Sequence, residues 1–256
     1  MENVQFLEEA EELYSKGNFS SAIDKLEEIV YANPSFYPAY NLLGCFLLSN
    51  GLLTKAEQYF KKTLELNPNQ PEAHNNLGYL YLRQGKFDLA EQHFKKVLKY
   101  NRHDTEILNN LALLYKYQKQ YNKAINNLKK VLSLNPNSTE AHNNLGCIYK
   151  EKEMFQEALE EFKKTMTINP NDIEALNNTA CTYKALGDMV RATSYFKKAL
   201  EVNPHDETIN YNLGITYAEW GNKEKAIEQF KCYLENTKDG YHSDEVESWI
   251  DNLNKK

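Results

Sequence analysis

The sequence predicts an all-α protein: a solenoid of seven helix–turn–helix repeats, closed by a C-terminal capping helix. Three observations support this fold class. The same residue pattern returns every 34 residues, a glycine marks the middle of most units, and an Asn-Pro pair closes most of them. Residues 141–170 (AHNNLGCIYKEKEMFQEALEEFKKTMTINP) show one unit, in which apolar residues recur at helical spacing on both sides of a short break.

Three sets of residues explain how such units would pack. Each set occupies the same position in successive repeats, 34 residues apart, and is called a column below. Small residues occupy the middle of the first helix, where a neighbouring helix can approach closely: Gly44, Gly78, Ala112, Gly146, Ala180 and Gly214. Alanine begins the second helix: Ala22, Ala56, Ala90, Ala124, Ala158, Ala192 and Ala226. Large apolar residues follow and fill the space that the small residues leave: Leu26, Phe60, Phe94, Leu128, Phe162, Phe196 and Phe230. Such a stripe predicts a buried helix face.

The columns divide the whole chain into repeats. Residues 1–240 hold seven units with approximate bounds 3–36, 37–70, 71–104, 105–138, 139–172, 173–206 and 207–240. Residues 241–256 leave the pattern but carry one apolar stripe of Val246, Trp249, Ile250 and Leu253. We expect a helix capped by Ser243 that covers the seventh unit. A docking site for a separate partner is the alternative for this segment.

Glycine at the break inside a unit predicts a helix end with positive φ. Five units carry it: Gly17, Gly51, Gly85, Gly187 and Gly221. Lys119 and Glu153 take its place in the fourth and fifth units, and Arg102 replaces the closing proline of the third. We expect slightly altered turns at these three positions and no change of fold.

A 34-residue helix–turn–helix unit with these small and aromatic columns and a closing proline resembles the tetratricopeptide repeat. The resemblance covers nearly the whole chain. It implies a right-handed superhelical solenoid whose first helices line a concave groove, and a role as a scaffold for other proteins. The Asn-Asn-Leu-Gly segments, as at 143–146, are also similar to the groove of the repeat region in O-linked GlcNAc transferases.

Composition argues against several other classes of protein. The chain has 256 residues and a net charge of −6, so nucleic acid is not an expected partner. Direct membrane insertion is not expected either, because no apolar run approaches the length of a membrane span. The N-terminal segment is acidic and lacks the basic and apolar parts of a signal peptide. We therefore expect a cytoplasmic protein.

The sequence predicts no catalysis, cofactor or metal site. It contains no phosphate-binding glycine loop and no nucleophile elbow. His74 and His142 share a repeat column that packs against the next helix, and the six histidines lack ligand spacing. Cys147 and Cys181 also share a column, but stacked helices about 8–10 Å apart hold them too far apart for an easy disulfide. The prediction is a protein that is not an enzyme.

The candidate binding residues lie on the first helix of each unit. Asparagine recurs at one position of these helices: Asn76, Asn110, Asn144, Asn178 and Asn212. A second asparagine precedes it in most units. Carboxamides one repeat apart would pair with the N–H and C=O groups of an extended peptide, whatever its side chains. The alternative is structural, with each side chain bonded to an adjacent helix.

Two charged columns have an explanation in the helix dipole. Glutamates lie in the first turn of their helices, as Glu72, Glu106, Glu140 and Glu174, whereas Lys116, Lys150 and Lys184 lie near the ends of theirs. The helix dipole stabilises each of these charged side chains by about 0.3–1 kcal/mol. The lysines also follow the predicted groove edge, where they would attract an acidic segment of a ligand. A clamp for a C-terminal carboxylate is not expected, because the groove-facing positions lack the matching basic residues.

These features together predict a protein–protein interaction scaffold that binds an extended peptide or protein segment in its groove, without chemistry. The alternative is a regulatory or targeting subunit of a separate enzyme complex, for example a glycosyltransferase-like assembly. Self-association through an exposed end or the outer face is a further expectation.

Overall fold

A computed structural model describes residues 2–237 and 242–255, which form α-helices joined by short loops. In chain order the helices are α1 (Glu2–Ser15), α2 (Phe19–Ala32), α3 (Tyr37–Ser49), α4 (Leu53–Leu66), α5 (Pro71–Arg83), α6 (Phe87–Tyr100), α7 (Thr105–Tyr117), α8 (Tyr121–Leu134), α9 (Thr139–Glu151), α10 (Phe155–Ile168), α11 (Ile173–Ala185), α12 (Met189–Val202), α13 (Glu207–Glu219), α14 (Lys223–Asn236) and α15 (Ser243–Asn254). No strand occurs within the described ranges. The predicted all-α fold class is confirmed.

The chain divides into two compact units, residues 1–127 and residues 128–256. In the first unit, α1 packs on α2, α3 on α4 and α5 on α6, and each second helix also packs on the first helix of the next pair. In the second unit, α9–α10, α11–α12 and α13–α14 pack in the same way. First helices of successive pairs contact one another within each unit, as α3, α5 and α7 do. Each unit therefore presents a row of first helices.

The turns inside the pairs correct one expectation. The glycines at these breaks have φ between 70° and 83°, and Lys119 and Glu153 take the same left-handed conformation, with φ of 57° and 59°. The Gln120 N–H donates to the Tyr115 carbonyl over 2.7 Å, which is the 6→1 bond that closes the glycine turns as well. The turn at Arg102 keeps the backbone bond of the proline turns. The expectation of altered turns was therefore wrong. The same backbone hydrogen bonds close these turns whether or not glycine or proline is present.

Close contact between the small and large columns forms the core of each pair. A Cβ atom added at Gly78 would lie 2.5 Å from Cε1 of Phe94, and one added at Gly44 would lie 2.4 Å from Cε1 of Phe60. The large aromatic residues have no exposed surface: Phe60, Phe94, Phe162, Phe196 and Phe230. The packing role predicted for these columns is confirmed, since any side chain at the glycines would collide with the ring.

The last helix, α15, packs its apolar stripe on the core of the second unit. Val246 is buried, and the Trp249 ring stacks on Phe230 with centroids 6.3 Å apart. The cap prediction was wrong: His242 holds the N-cap position and Ser243 is the first helical residue. The bounds predicted for the repeats and the capping segment stay a prediction, and residues 238–241 and 256 lie outside the described ranges.

Candidate functional site

The predicted asparagine row lies on the first helices: Asn76 on α5, Asn110 on α7, Asn144 on α9, Asn178 on α11 and Asn212 on α13. Asn178 is buried, and the other four side chains are half-buried. Helix register explains this position, because the leucine that follows most of them in sequence belongs to the core face. The row therefore runs along the boundary between core and surface, where an amide can bond on two sides.

Amide–amide hydrogen bonds connect neighbouring repeats within each unit. Asn76 Nδ2 donates to Asn41 Oδ1 over 3.2 Å, and Asn110 Nδ2 donates to Asn75 Oδ1 over 3.0 Å. In the second unit, Asn212 Nδ2 donates to Asn177 Oδ1 over 3.1 Å. Asn76, Asn110 and Asn212 thus bond to the preceding asparagine column of the previous repeat, as the structural alternative expected.

These bonds leave polar groups on the same amides. Asn76, Asn110 and Asn212 each use Nδ2 as a donor, and their Oδ1 atoms accept no bond from the described residues. A carboxamide has two N–H donors and an acceptor oxygen with two lone pairs. Each of these three side chains therefore keeps its carbonyl oxygen for a ligand. Asn110 and Asn212 also keep one N–H, whereas Nδ2 of Asn76 makes a second bond, to Cys45 Sγ.

Asn178 differs from the rest of the row. Its side chain is only 8% exposed, and its Oδ1 accepts a hydrogen bond from Lys150 Nζ over 3.0 Å. In the neighbouring column, Asn143 Nδ2 donates to Asp172 Oδ1 over 3.2 Å. The amide row is therefore less accessible at α11 than at α5, α7 and α13.

The three predicted lysines are half-buried and have different partners. Lys116 Nζ lies 5.7 Å above the centroid of the Tyr117 ring, a cation–π distance. Lys150 bonds the Asn178 amide, whereas Lys184 Nζ forms an ion pair with Glu219 Oε1 at 3.0 Å. Their placement in the last turn of α7, α9 and α11 confirms the predicted helix-dipole arrangement. Within the described ranges, only Lys184 of these three pairs with a carboxylate.

Cys45 and Cys181 lie beside the row, and their surroundings disfavour the reactive thiolate form. Burial raises the pKa of Cys45 to about 11, although Asn76 Nδ2 donates to its sulfur over 3.2 Å and favours the thiolate. Burial also raises the pKa of Cys181. Because the thiolate is the nucleophilic form, both side chains stay neutral at pH 7 and act as small apolar groups.

The two column histidines make packing contacts with the second helix of their own repeat. His74 Nδ1 lies 3.0 Å from His93 Nδ1, and its Nε2 lies 3.1 Å from the Pro68 carbonyl. Two repeats further along, His142 Nδ1 lies 2.6 Å from Glu161 Oε2. Both histidines are buried, which confirms the predicted packing role. No group of three or more His, Cys, Asp or Glu residues that could hold a metal ion occurs among the described residues.

Sequence reasoning did not predict a recess between α5, α6 and α7 in the first unit. We call it the tyrosine recess; its lining includes Tyr79, Leu82, Arg83, Phe87, Leu113 and Tyr117. The signal in the sequence was one position of the first helices, which holds Tyr79 and Leu113 in these repeats and Cys147 and Cys181 in the next two. Those positions become a recess only when three helices meet.

No helix in the described ranges is long and apolar enough to cross a membrane. The helix pairs, their left-handed turns and the rows on their first helices define a helical repeat protein. Profiles described as tetratricopeptide repeat match residues 71–104 and 139–172, residues 173–206 and residues 195–228. A profile described as TPR repeat matches residues 47–85 and 113–153. The chain belongs to the tetratricopeptide repeat family.

Solved structures of this family share the fold. A tetratricopeptide repeat protein from Parabacteroides merdae is 21% identical, with a TM-score of 0.79 over 99% of both chains. The PilF protein of Pseudomonas aeruginosa is 20% identical, with a TM-score of 0.65 over 83% of this chain and 96% of its own. YrrB, described as having an unusual peptide-binding site, is 23% identical, with a TM-score of 0.51 over 72% of this chain and 94% of its own. No curated protein sequence matches the chain significantly.

Proposed function

We propose that this chain is a non-catalytic scaffold that binds an extended segment of another protein along the first helices of its repeats. The observation that carries the proposal is the remaining bonding capacity of Asn76 and Asn110 in the first unit, with Asn212 as an equivalent residue of the second unit. Each is already oriented by a bond to a neighbouring repeat, and each keeps its carbonyl oxygen as an acceptor. Asn110 and Asn212 also keep a donor, whereas Nδ2 of Asn76 bonds Cys45 Sγ as well. The description of YrrB as having a peptide-binding site supports the same use of the fold.

The mechanism is recognition of the peptide backbone. An extended segment presents N–H and C=O groups that no secondary structure uses, and carboxamides can bond both kinds of group. Because one N–H of each amide is fixed by its neighbour, less side-chain entropy is lost when a ligand binds. Each new bond contributes about 0.5–1.5 kcal/mol net, so several bonds are needed for a useful affinity. Lys116 and Lys150 would add attraction for an acidic segment.

A peptide selection tests this proposal. A random twelve-residue library displayed on phage would be selected on the purified chain, and enriched peptides would be labelled for fluorescence anisotropy. We expect the double variant Asn76→Ala and Asn110→Ala to weaken binding by about 10- to 100-fold, since two or three hydrogen bonds are lost. Methylation of alternate peptide amides should weaken binding similarly, because it removes backbone donors.

Asn126→Ala is the matched control, since Asn126 is exposed on the second helix α8. It should leave affinity unchanged. Because Asn76→Ala and Asn110→Ala each remove a bond between repeats, binding is measured well below the melting temperature of every variant, where circular dichroism shows the helicity of the natural chain. Failure to enrich any peptide, or equal affinity for the asparagine variants, would contradict the proposal. The likeness to the O-linked GlcNAc transferase groove, the enzyme-subunit alternative, self-association and the cytoplasmic location stay predictions.

A further inference from the structure

The tyrosine recess is an apolar depression on the first unit. Its volume is about 390 Å³, and aromatic rings form its walls. Tyr79 is 40% exposed and Tyr117 is 58% exposed, whereas most large apolar side chains of these helices are buried. The Phe87 and Tyr117 rings are nearly parallel, with centroids 6.5 Å apart. Exposed aromatic rings gathered around a depression of this size are typical of binding sites.

The recess continues the asparagine row. Tyr79 lies three residues after Asn76 on α5, and Leu113 lies three residues after Asn110 on α7. Residues three apart share one face of a helix. A segment bonded to these two amides would therefore pass over the recess, and one of its side chains would point into it.

Positive charge dominates the rim. Arg83 lines the recess, and Lys116 Nζ lies 5.7 Å from the Tyr117 ring. Lys86 and Asp88 line a second depression that shares Phe87 with the recess, so Asp88 is the one carboxylate among the described residues that line either depression. Two basic groups therefore lie at the recess, Arg83 in its lining and Lys116 beside the Tyr117 ring, in a chain whose net charge is −6. This local excess is complementary to carboxylates.

We propose that the tyrosine recess binds a large apolar side chain of the partner segment, flanked by acidic residues. This inference rests on the proposed function, because the amides of Asn76 and Asn110 would hold the backbone beside the recess. An aromatic or leucine side chain would be buried against rings that already face solvent, which is how interface hot spots contribute affinity. The flanking carboxylates would meet Arg83 and Lys116, where steering also raises the association rate.

Selection on variants tests the inference. We expect peptides enriched on the natural chain to share a tryptophan, phenylalanine or leucine with aspartate or glutamate beside it. The same selection on Tyr117→Ala should lose this pattern, and a labelled enriched peptide should bind that variant about 10-fold more weakly. Tyr31→Ala is the matched control, because Tyr31 is 89% exposed on α2 and lies outside the recess. Its selection should return the original pattern.

A charge exchange gives a second, independent measurement. Arg83→Glu should weaken binding of the acidic peptide. The same variant should strengthen binding of a peptide in which lysines replace the acidic residues. Enriched peptides that lack the apolar–acidic pattern, or that bind Tyr117→Ala and Arg83→Glu as tightly as the natural chain, would overturn the inference. If those peptides still depend on Asn76 and Asn110, the proposed function stands alone. If no peptide is enriched, both fall.

Discussion

The carboxamides of the asparagine row combine two roles that the sequence presents as alternatives. Asn76 bonds Asn41 and Asn110 bonds Asn75, so these side chains are structural. An amide has four bonding positions, however, and these contacts between repeats use only the N–H side and leave the carbonyl oxygen unused. The structural bond also fixes the side-chain rotamer, which prepares the remaining groups for a ligand.

Thr179 is a residue whose chemistry does not suit its position. It stands where the neighbouring repeats have Leu145 and Leu213. Thr179 is 2% exposed, and its hydroxyl oxygen bonds none of the described residues. An unsatisfied buried hydroxyl costs about 1–3 kcal/mol. We expect Thr179→Val, which keeps the shape and removes the hydroxyl, to raise the free energy of unfolding by about 1 kcal/mol, measured by urea denaturation.

Thr182 provides the control for this prediction. It is equally buried, but its Oγ1 donates to the Asn178 carbonyl over 2.7 Å. Thr182→Val removes a satisfied hydroxyl and should not stabilise the protein. A gain of equal size in both variants would show that valine helps through packing, and the explanation from hydrogen bonding would be wrong.

The His74–His93 pair predicts a loss of stability in acid. Burial lowers the pKa of His74, and burial together with the charge of His74 and of Lys96 and Lys61 lowers the pKa of His93 to about 4. An unfolded histidine has a pKa near 6.5. Between these values the unfolded chain binds more protons, so stability falls as the pH falls from about 6.5 to about 4. Urea denaturation at pH 7 and pH 5 measures the difference.

His93→Glu is the variant that isolates this effect, because it reproduces the contact of His142 with Glu161 two repeats away. A carboxylate beside His74 favours the protonated ring, so the variant should lose less stability between pH 7 and pH 5 than the natural chain. An identical loss in both proteins would show that other groups cause the acid sensitivity.

At the scale of the helix, the chain forms each left-handed turn whether or not glycine is present. A residue with a Cβ pays about 1–2 kcal/mol for this conformation, offset in part by the greater freedom of glycine in the unfolded chain. Lys119→Gly should therefore raise the free energy of unfolding by about 0.5–1 kcal/mol. Thermal denaturation measures it, and Lys119→Ala, which keeps the Cβ, should not reproduce the gain.

The helices were largely predictable because one residue pattern recurs in every repeat and serves the same packing contact each time. The glycine–phenylalanine columns require close contact between two helices, and the structure has that contact at Gly78 and Phe94. The turn at Lys119 was predicted less well. Local propensity disfavours lysine with positive φ, but the packed helices on both sides and the bond from Gln120 to Tyr115 decide the conformation.

At the scale of the whole molecule, the candidate site was only partly predictable. The positions of Asn76 and Asn110 follow from the repeat, but their partners lie in the preceding repeat, and only packing decides which oxygen each N–H reaches. The tyrosine recess combines residues of α5, α6 and α7. Its depth depends on how three helices meet, which a pattern read along one helix does not contain.

Repeat architecture predicts that the chain accepts an added unit. Insertion of a second copy of residues 71–104 after residue 104 keeps every helix pair beside a neighbour of the same kind. We expect a folded protein with a melting temperature equal to or above that of the natural chain, measured by circular dichroism. A copy shortened to residues 71–100 breaks the repeat length and is the control. A lower melting temperature for the full insertion would contradict the prediction.

Asn76, Asn110 and Asn212 each bond a residue 35 positions earlier, one more than the length of the repeat. Every such bond therefore crosses from one repeat to the next. Unequal recombination that copies or removes whole units preserves each donor and its acceptor, whereas a gain or loss of a few codons separates them. The asparagines thus favour evolution in steps of complete repeats, so that a lineage can lengthen its row of first helices without inventing a new contact.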